Sequence, residues 1–338
     1  MKSAKEDIRD IVFGLTRGRI LGVGIRVGVF EAVGTEPRDS SEITKALDID
    51  PDHGNRLLRS LVTLGVIKES EAGYSLTATG EYLSEDHPET IKDYFLFETS
   101  ELSNDLWKHL PELIADGEQN AFVREFGQPL FDYLASNLET AMMVNDGMRS
   151  YSRLHATEIR ELLSSSPIAE EGHACDIGGG HGHLLCMLLS EYQSLTGTVY
   201  DQSPLLKADT LQLANEFGVA NRCSYACGDM FEEIPHANIY LLKHIIHDWS
   251  DTQAIQLLST VREQSPDDAQ LIMIEHVIPN SEPAHFGSLY DMQMIVWADG
   301  RERTVDEYKS LLNRSGWEHT ETMFADNKLL GAIHATSN

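Results

Sequence analysis

Residues 173–183 read HACDIGGGHGH, and their types and spacing suit the binding of a polar ligand by backbone groups. A short apolar strand over 174–177 carries Asp176 at its end. Glycines follow at alternate positions, Gly178, Gly180 and Gly182, and from Leu184 the pattern LLCMLLSEY is an apolar helical run. Strand, glycine turn and helix bring N–H groups and a helix N-terminus to one place. Glycine suits the turn because positive φ angles are required and a side chain would block a ligand's approach. The spacing is not the dinucleotide fingerprint G-x-G-x-x-G, whose third glycine would fall on His183 or Leu185. Asp201 ends the next strand, GTVYD, where a carboxylate accepts from both hydroxyls of a ribose. Alone it is more often a solvated strand end or cap; beside the glycine turn the ribose reading is preferred.

Ligands of open α/β sheets bind at the carboxyl ends of the strands, and two later strand ends are also polar. In Gly228-Asp229-Met230-Phe231, Asp229 can bond an amino-purine edge while Met230 covers its face; the plainer reading is a turn with a core methionine. In KHIIHDWSDTQ, Ser250 and Gln253 read as a capping box, so a helix starts there and His247 and Asp248 lie in the loop before it. Glu275, inside LIMIEHVI, is a charge in an apolar strand and costs free energy without a partner. An imidazole N–H would be such a partner and would make the histidine more basic. Glu302, in DGRERT, lies at a comparable rim. His244, His247 and Asp248 form an alternative metal set, disfavoured because i, i+3 histidines on a strand point to opposite faces; no metal is expected.

The elements around these residues follow from periodicity. Residues 7–33 have helical spacing with so many apolar positions that a surface buried against a second subunit is suggested, a core helix pair being the plainer reading. Helices over 41–47 and 51–64 and a hairpin from VIKES, EAG and YSLT make a winged-helix arrangement. By itself that pattern suggests a DNA-binding regulator. The second helix, however, mixes Asp52 with Arg56 and Arg59 and lacks a basic face. Residues 91–163 are mostly helical, and Ser164-Ser165-Ser166-Pro167 marks a boundary. Beyond it strands and helices alternate, including a helix over 204–217, which predicts a doubly wound, mainly parallel sheet. The last two strands, WEHTETMFA and KLLGAIHAT, have no helix between them, so an antiparallel edge strand is expected. The division is 1–100, 101–165 and 166–338. Phe131, Met148, Met292 and Trp297 are candidates to shape an apolar pocket.

Acidic residues outnumber basic ones by 54 to 26, for a formal charge of -28, which argues against a nucleic-acid partner. Only 10 residues are lysine, a composition that fits strong salt or a generally acidic cytosolic enzyme. Cysteines 175, 186, 223 and 227 form neither a CxxC pair nor a zinc pattern; Cys175 and Cys186 sit in apolar runs, where buried thiols are the default. The charged N-terminus and the absence of an uninterrupted apolar run of membrane length point to a cytoplasmic protein.

In order and spacing, Gly178-x-Gly-x-Gly, YDQSP, GDMF, LLKHIIHDWSD and DGRERT closely resemble the S-adenosylmethionine-dependent O-methyltransferases of the caffeic acid, hydroxyindole and polyketide-tailoring type. FDYLASNLETAMMVNDGM and the winged-helix start are similar too, so the resemblance covers nearly the whole chain. It implies a class I methyltransferase Rossmann-like sheet, an N-terminal winged-helix dimerisation domain and a homodimer. It further implies that Asp201 holds the ribose, Asp229 and Met230 the adenine, and Lys243 the wall of the cofactor pocket. Asp176 leads into the turn, and Gly178, Gly180 and Gly182 pass under the methionine portion. His247 matches the general base, Glu275 and Glu302 the acids that orient it, and Asp248 the acid beside it. The acceptor implied is a phenolic hydroxyl of a small aromatic or polyketide-like molecule. Two alternatives are a relative that keeps the cofactor but hydroxylates or decarboxylates an aromatic substrate, and a regulator that senses the cofactor. His181, between the glycines where the family often has a small residue, is expected to point to solvent.

Overall fold

The structure, a computed structural model, describes residues 3–118, 120–203, 206–282 and 284–337. The chain divides into two compact units, Met1–Asn104 with Glu139–Leu154, and Asp105–Leu138 with His155–Asn338. Residues 101–165 are therefore not one body. The Leu138–Leu154 helix joins the first unit because Gly147 admits Phe97 so closely that an added Cβ would lie 2.9 Å from it, and because Tyr151 packs on Tyr94 at 4.7 Å.

In the first unit the Ala4–Arg26 helix starts in a capping box of Ser3 and Glu6, and Gly28 (φ 80°) separates it from the Val29–Val33 helix. One face of the long helix buries Gly22, Gly24 and Ile25; the other leaves Ile8, Ile11, Val12 and Leu15 more than 60% exposed. The Ser40–Ala46 and Pro51–Thr63 helices are followed by a hairpin of β1 (Ile67–Ser70) and β2 (Gly73–Leu76), the helix, turn, helix, hairpin order read from the sequence. Phe30, Leu58, Leu61 and Ile67 form its core.

The second unit is built on seven strands: β3 (Gly172–Ile177), β4 (Leu195–Asp201), β5 (Cys223–Cys227), β6 (Ile239–Lys243), β7 (Gln270–Glu275), β8 (Trp317–Phe324) and β9 (Gly331–Ser337). Their order is β5-β4-β3-β6-β7-β9-β8. Strands β3 to β7 are parallel, and β9 runs antiparallel to both β7 and β8. The reversed strand thus lies one place in from the edge, and β8 takes the edge itself. Burial explains this: Gly331 to Ala335 are all buried, whereas β8 is largely open to solvent. Successive residues of β6 and β7 alternate between two cores, Leu241 and Ile272 facing one helical layer, Tyr240, Leu242, Leu271 and Met273 the other. The helix expected from Pro204 is described as Lys207–Glu216; Pro204 lies outside the described residues. Cys175, Cys186 and Cys223 are buried thiols, but Cys227 is exposed. Among the described residues no helix is long and apolar enough to cross a membrane.

Strand β3 pairs with β4 on one side and β6 on the other, so the strand order reverses there. Chains leaving β3 and β6 turn to opposite faces and open a crevice at the carboxyl ends of the two strands.

Candidate active site

The glycine turn sits at that reversal. Gly178, Gly180 and Gly182 have φ of 65°, 55° and 79°, the left-handed values that their spacing predicts. Each is small for its own reason. A Cβ on Gly178 would come within 2.4 Å of Ile245 in the loop after β6, and one on Gly182 within 2.8 Å of Val199, whereas one on Gly180 would meet nothing within 4 Å. Asp201 accepts the Gly180 N–H (3.0 Å) and the Ser203 N–H (3.1 Å), which ties the end of β4 to the turn. Asp176 is almost fully buried; Oδ2 makes no hydrogen bond, and burial pushes the carboxyl up to about 7 against the attraction of Lys243. Lys243 ends β6, its ammonium lowered by burial while Asp176 and Glu275 oppose that shift.

Asp229 is exposed and accepts the Phe231 N–H at 2.9 Å, closing a turn, while Met230 is buried in a core cluster. These contacts are those of the plainer turn reading and leave the carboxylate at the strand end. His181 departs from expectation. It is 8% exposed rather than in solvent, because the turn directs it towards the Lys207–Glu216 helix, with Nε2 3.6 Å from Asp209.

After β6 the chain leaves the strand at once. His244 has φ of 54°, and Ile246–Asp248 form a single 3₁₀ turn before the Asp251–Gln264 helix. Ser250 caps that helix by accepting the Gln253 N–H, but its hydroxyl donates to the Gln253 side chain at 2.6 Å, so the reciprocal bond of a capping box is not made. His247 is thereby turned inward, 5% exposed. Its Nδ1–H donates to Oε1 of Glu302 at 2.7 Å, leaving the Nε2 lone pair as the basic position, 3.6 Å from Asp248. The expected direct partner was Glu275. That carboxylate instead accepts the Ile245 and Ile246 N–H groups (3.2 and 2.9 Å) and lies 3.6 Å from Nδ1. Burial by itself would lower the His247 imidazole, yet Glu302, Glu275 and Asp248 outweigh it and raise it to about 10. Burial raises all three acids in turn.

Residues that sequence reasoning passed over hold this loop in place. Arg303 is 1% exposed and donates to the carbonyls of Ile246 (3.0 Å) and Trp249 (2.8 Å) and to Asp251 (2.8 Å). Asp291 accepts the Glu302 N–H at 2.8 Å. Gly300 lies against the His247 carbonyl so closely that no Cβ fits. A signal was present in RERT, where Thr304 and Glu307 make a capping box that fixes the residues just before it.

Of the apolar candidates, Phe131 stacks on Trp249 at 5.2 Å, and Trp249 meets Phe231 at 4.7 Å, so an aromatic wall flanks the His247 loop. Trp297 is buried against Phe122 (5.5 Å), and Met292 is half-buried on the same Phe286–Trp297 helix. Met148 belongs to the first unit, half-buried on the Leu138–Leu154 helix. A surface depression near Glu171, Asn238 and Gln270 lies at the amino ends of the strands, the wrong rim for a ligand of such a sheet.

A mixed seven-stranded sheet with a glycine turn at its reversal and an acid ending the neighbouring strand defines a class I methyltransferase, here with an N-terminal helical unit. The crystal structure of LaPhzM agrees, with a TM-score of 0.90 and 26% identity over 100% of both chains. Residues 107–318 match the O-methyltransferase domain and residues 10–86 the O-methyltransferase dimerisation domain. The O-demethylpuromycin-O-methyltransferase of Streptomyces alboniger is 33% identical over 322 residues, 94% of this chain and 85% of that one. CalO1, a methyltransferase in calicheamicin biosynthesis solved in its SAH-bound form, has a TM-score of 0.82 at 25% identity over 100% of both chains. The chain belongs to the S-adenosylmethionine-dependent O-methyltransferase family. The turn fits that cofactor: Gly180 presents bare backbone, and the buried Oδ2 of Asp176 is a polar atom still open to a donor.

Proposed function

We propose that the enzyme methylates a phenolic hydroxyl of a small aromatic or polyketide-like acceptor, with His247 as general base. One observation carries the reading: a buried imidazole whose Nδ1–H is held by Glu302, at the strand end beside the glycine turn. The cofactor supplies a methyl group on a sulfonium, already a good leaving group. Asp201 takes the ribose hydroxyls, Asp229 and Met230 the adenine, and Gly178, Gly180 and Gly182 let the chain pass beneath the methionine portion, with Asp176 and Lys243 lining it. Nε2 of His247 removes the acceptor's proton, a useful step because a phenol has a pKa of about 10. Glu302 and Glu275 stabilise the imidazolium that forms, and Asp248 stands on its Nε2 side. Phe131, Met292 and Trp297 shape the acceptor pocket, and alignment of oxygen, methyl and sulfur is the protein's other contribution.

The same reading includes a homodimer formed through the N-terminal unit, supported by the match to a dimerisation domain and by the apolar outer face of the Ala4–Arg26 helix. The test uses methyl-labelled S-adenosylmethionine, a panel of phenols and mass spectrometry, with wild type and His247→Ala in parallel. Labelled phenyl ether from wild type, and a large loss of rate in the variant with cofactor binding kept, are expected. A variant retaining the full rate removes His247 as the base; label that goes only to non-phenolic acceptors overturns the acceptor class.

A further inference from the structure

The loop that positions His247 also assembles a second arrangement of donor atoms. On a regular strand His244 and His247 would face opposite ways. The left-handed residue at 244 and the 3₁₀ turn after it cancel that alternation, and the two imidazoles lie 5.1 Å apart, tilted by only 29°. Glu275 closes the group from the end of β7. Its Oε1 is pinned by the N–H groups of Ile245 and Ile246, so the carboxylate cannot swing away. Its Oε2 makes no hydrogen bond, is wholly buried, and lies 3.6 Å from Nδ1 of His244 and 3.6 Å from Nδ1 of His247. All three donor atoms fall within 4.8 Å of one another. A tetrahedral zinc ion with bonds of about 2.1 Å holds its ligand atoms about 3.4 Å apart. Two imidazoles and one carboxylate are also the donor chemistry that such an ion prefers.

We propose that His244, His247 and Glu275 form a site for a divalent transition-metal ion of the zinc class, and that filling it switches methyl transfer off. The ion is an inhibitor here and takes no part in the transfer. Coordination uses the Nδ1 lone pair of His247, so the hydrogen bond from Nδ1 to Glu302 breaks. The Nδ1 proton leaves to solvent from a doubly protonated ring, or shifts to Nε2 in a neutral one, and in either case the proton that stays sits on Nε2. That nitrogen then has no lone pair with which to take the acceptor's proton. Glu302, whose Oε1 lies 2.7 Å from the same Nδ1, is a further oxygen donor beside the trio and can complete four-coordination. The binding site stands on geometry alone; the switching-off rests on the reading of His247 as the base.

The experiment treats the full chain with a chelator, removes the chelator, and adds zinc or cobalt(II) by equilibrium dialysis. One equivalent is expected in wild type. Cobalt should give the visible absorption of a four-coordinate site, and the X-ray absorption of the zinc form should show imidazole neighbours at about 2.0 Å. His244→Gln should weaken binding at least about 100-fold, since losing even an outer-shell partner costs about 10–100-fold. Its thermal transition and cofactor titration serve as the folding control. The exposed trio Asp50, Asp52 and His53, the other such group among the described residues, is removed in a second variant that should bind as wild type does. Loss of the equivalent in that second variant, or its survival in His244→Gln, overturns the site. Should His244→Gln fail to fold, the absorption spectra of wild type decide: an ion without two imidazole ligands overturns it. One bound equivalent with unchanged methyl transfer upholds the site and overturns the switch.

Discussion

Nδ1 of His247 lies 2.7 Å from Oε1 of Glu302, with both side chains buried and a second acid, Glu275, 3.6 Å from the same nitrogen. The acids raise the imidazole to about 10, so the ring is protonated at neutral pH and its basic form grows as pH rises. For a base that must be neutral to act, kcat/KM should climb about tenfold per pH unit below that value and level off near it. Glu302→Gln removes a charge that raises the imidazole. The climb should then end at a pH lower by about one unit or more, with a lower plateau because the imidazolium of the transition state loses its partner. A pH profile of the two proteins on one acceptor checks this. A limb that stays in place in Glu302→Gln would assign the titration to the acceptor instead.

The glycines separate conformational need from contact. Gly180→Ala places a side chain at φ of 55° where nothing stands within 4 Å, so about 1–2 kcal/mol of stability should be lost. The added methyl group fills the bare surface of the turn, so cofactor affinity should fall more than stability does. Gly178→Ala has the same conformational cost and must also displace Ile245, two residues from His247. It should be the less stable protein. Thermal unfolding and calorimetric titration with S-adenosylmethionine rank the two variants, and the reverse order would refute the assignment.

Arg303 is a test of positioning. Replacing it by Met leaves the carbonyls of Ile246 and Trp249 without their donor, at about 1–3 kcal/mol for each buried group left unsatisfied. The loop that presents His247 then loses its clamp, so kcat should drop while cofactor affinity, which the proposed contacts of the glycine turn, Asp201 and Asp229 would set outside that loop, changes little. Arg303→Lys keeps the charge but not the planar fork and should recover only part of the stability. Denaturant unfolding beside separate kcat and Kd values checks both halves. An unchanged kcat in Arg303→Met would make the residue merely structural.

Why some of this could be read from residues alone, and some could not, is a matter of range. The glycine turn was legible because positive φ has few sequence solutions, and Gly178, Gly180 and Gly182 all adopt it. Asp201 was legible because strand ends follow from local hydrophobic pattern. The partner of His247 was not: choosing Glu302 over Glu275 depends on how the chain after the Phe286–Trp297 helix returns, a contact spanning 55 residues. The nearness of His244 to His247 is not readable from the residues, because the apolar strand pattern continues past Lys243 while a single left-handed residue reverses the parity of everything after it. His181 was misplaced for a similar reason, its direction being set by the helix that packs beside the turn. The antiparallel strand was foreseen, but its place depended on the even burial of β9, visible only once β7 is known to lie beside it.

The outer face of the Ala4–Arg26 helix makes a separate prediction. Ile8, Ile11, Val12 and Leu15 are 62–73% exposed, and the three- and four-residue spacings among them put them on one stripe. A protein with net charge -28 has little need of such a stripe for solubility, and water contact with it is unfavourable. Burial in a second copy would remove it from water, each aliphatic side chain contributing about 1.5–3 kcal/mol. Ile11→Glu adds a charge to the middle of the stripe. It should weaken self-association at least about 10–100-fold while leaving the second unit's fold and cofactor binding intact. Sedimentation across a dilution series is the measurement. Wild type should remain a dimer at concentrations where the variant is a monomer; equal masses at every dilution would remove this helix from the interface.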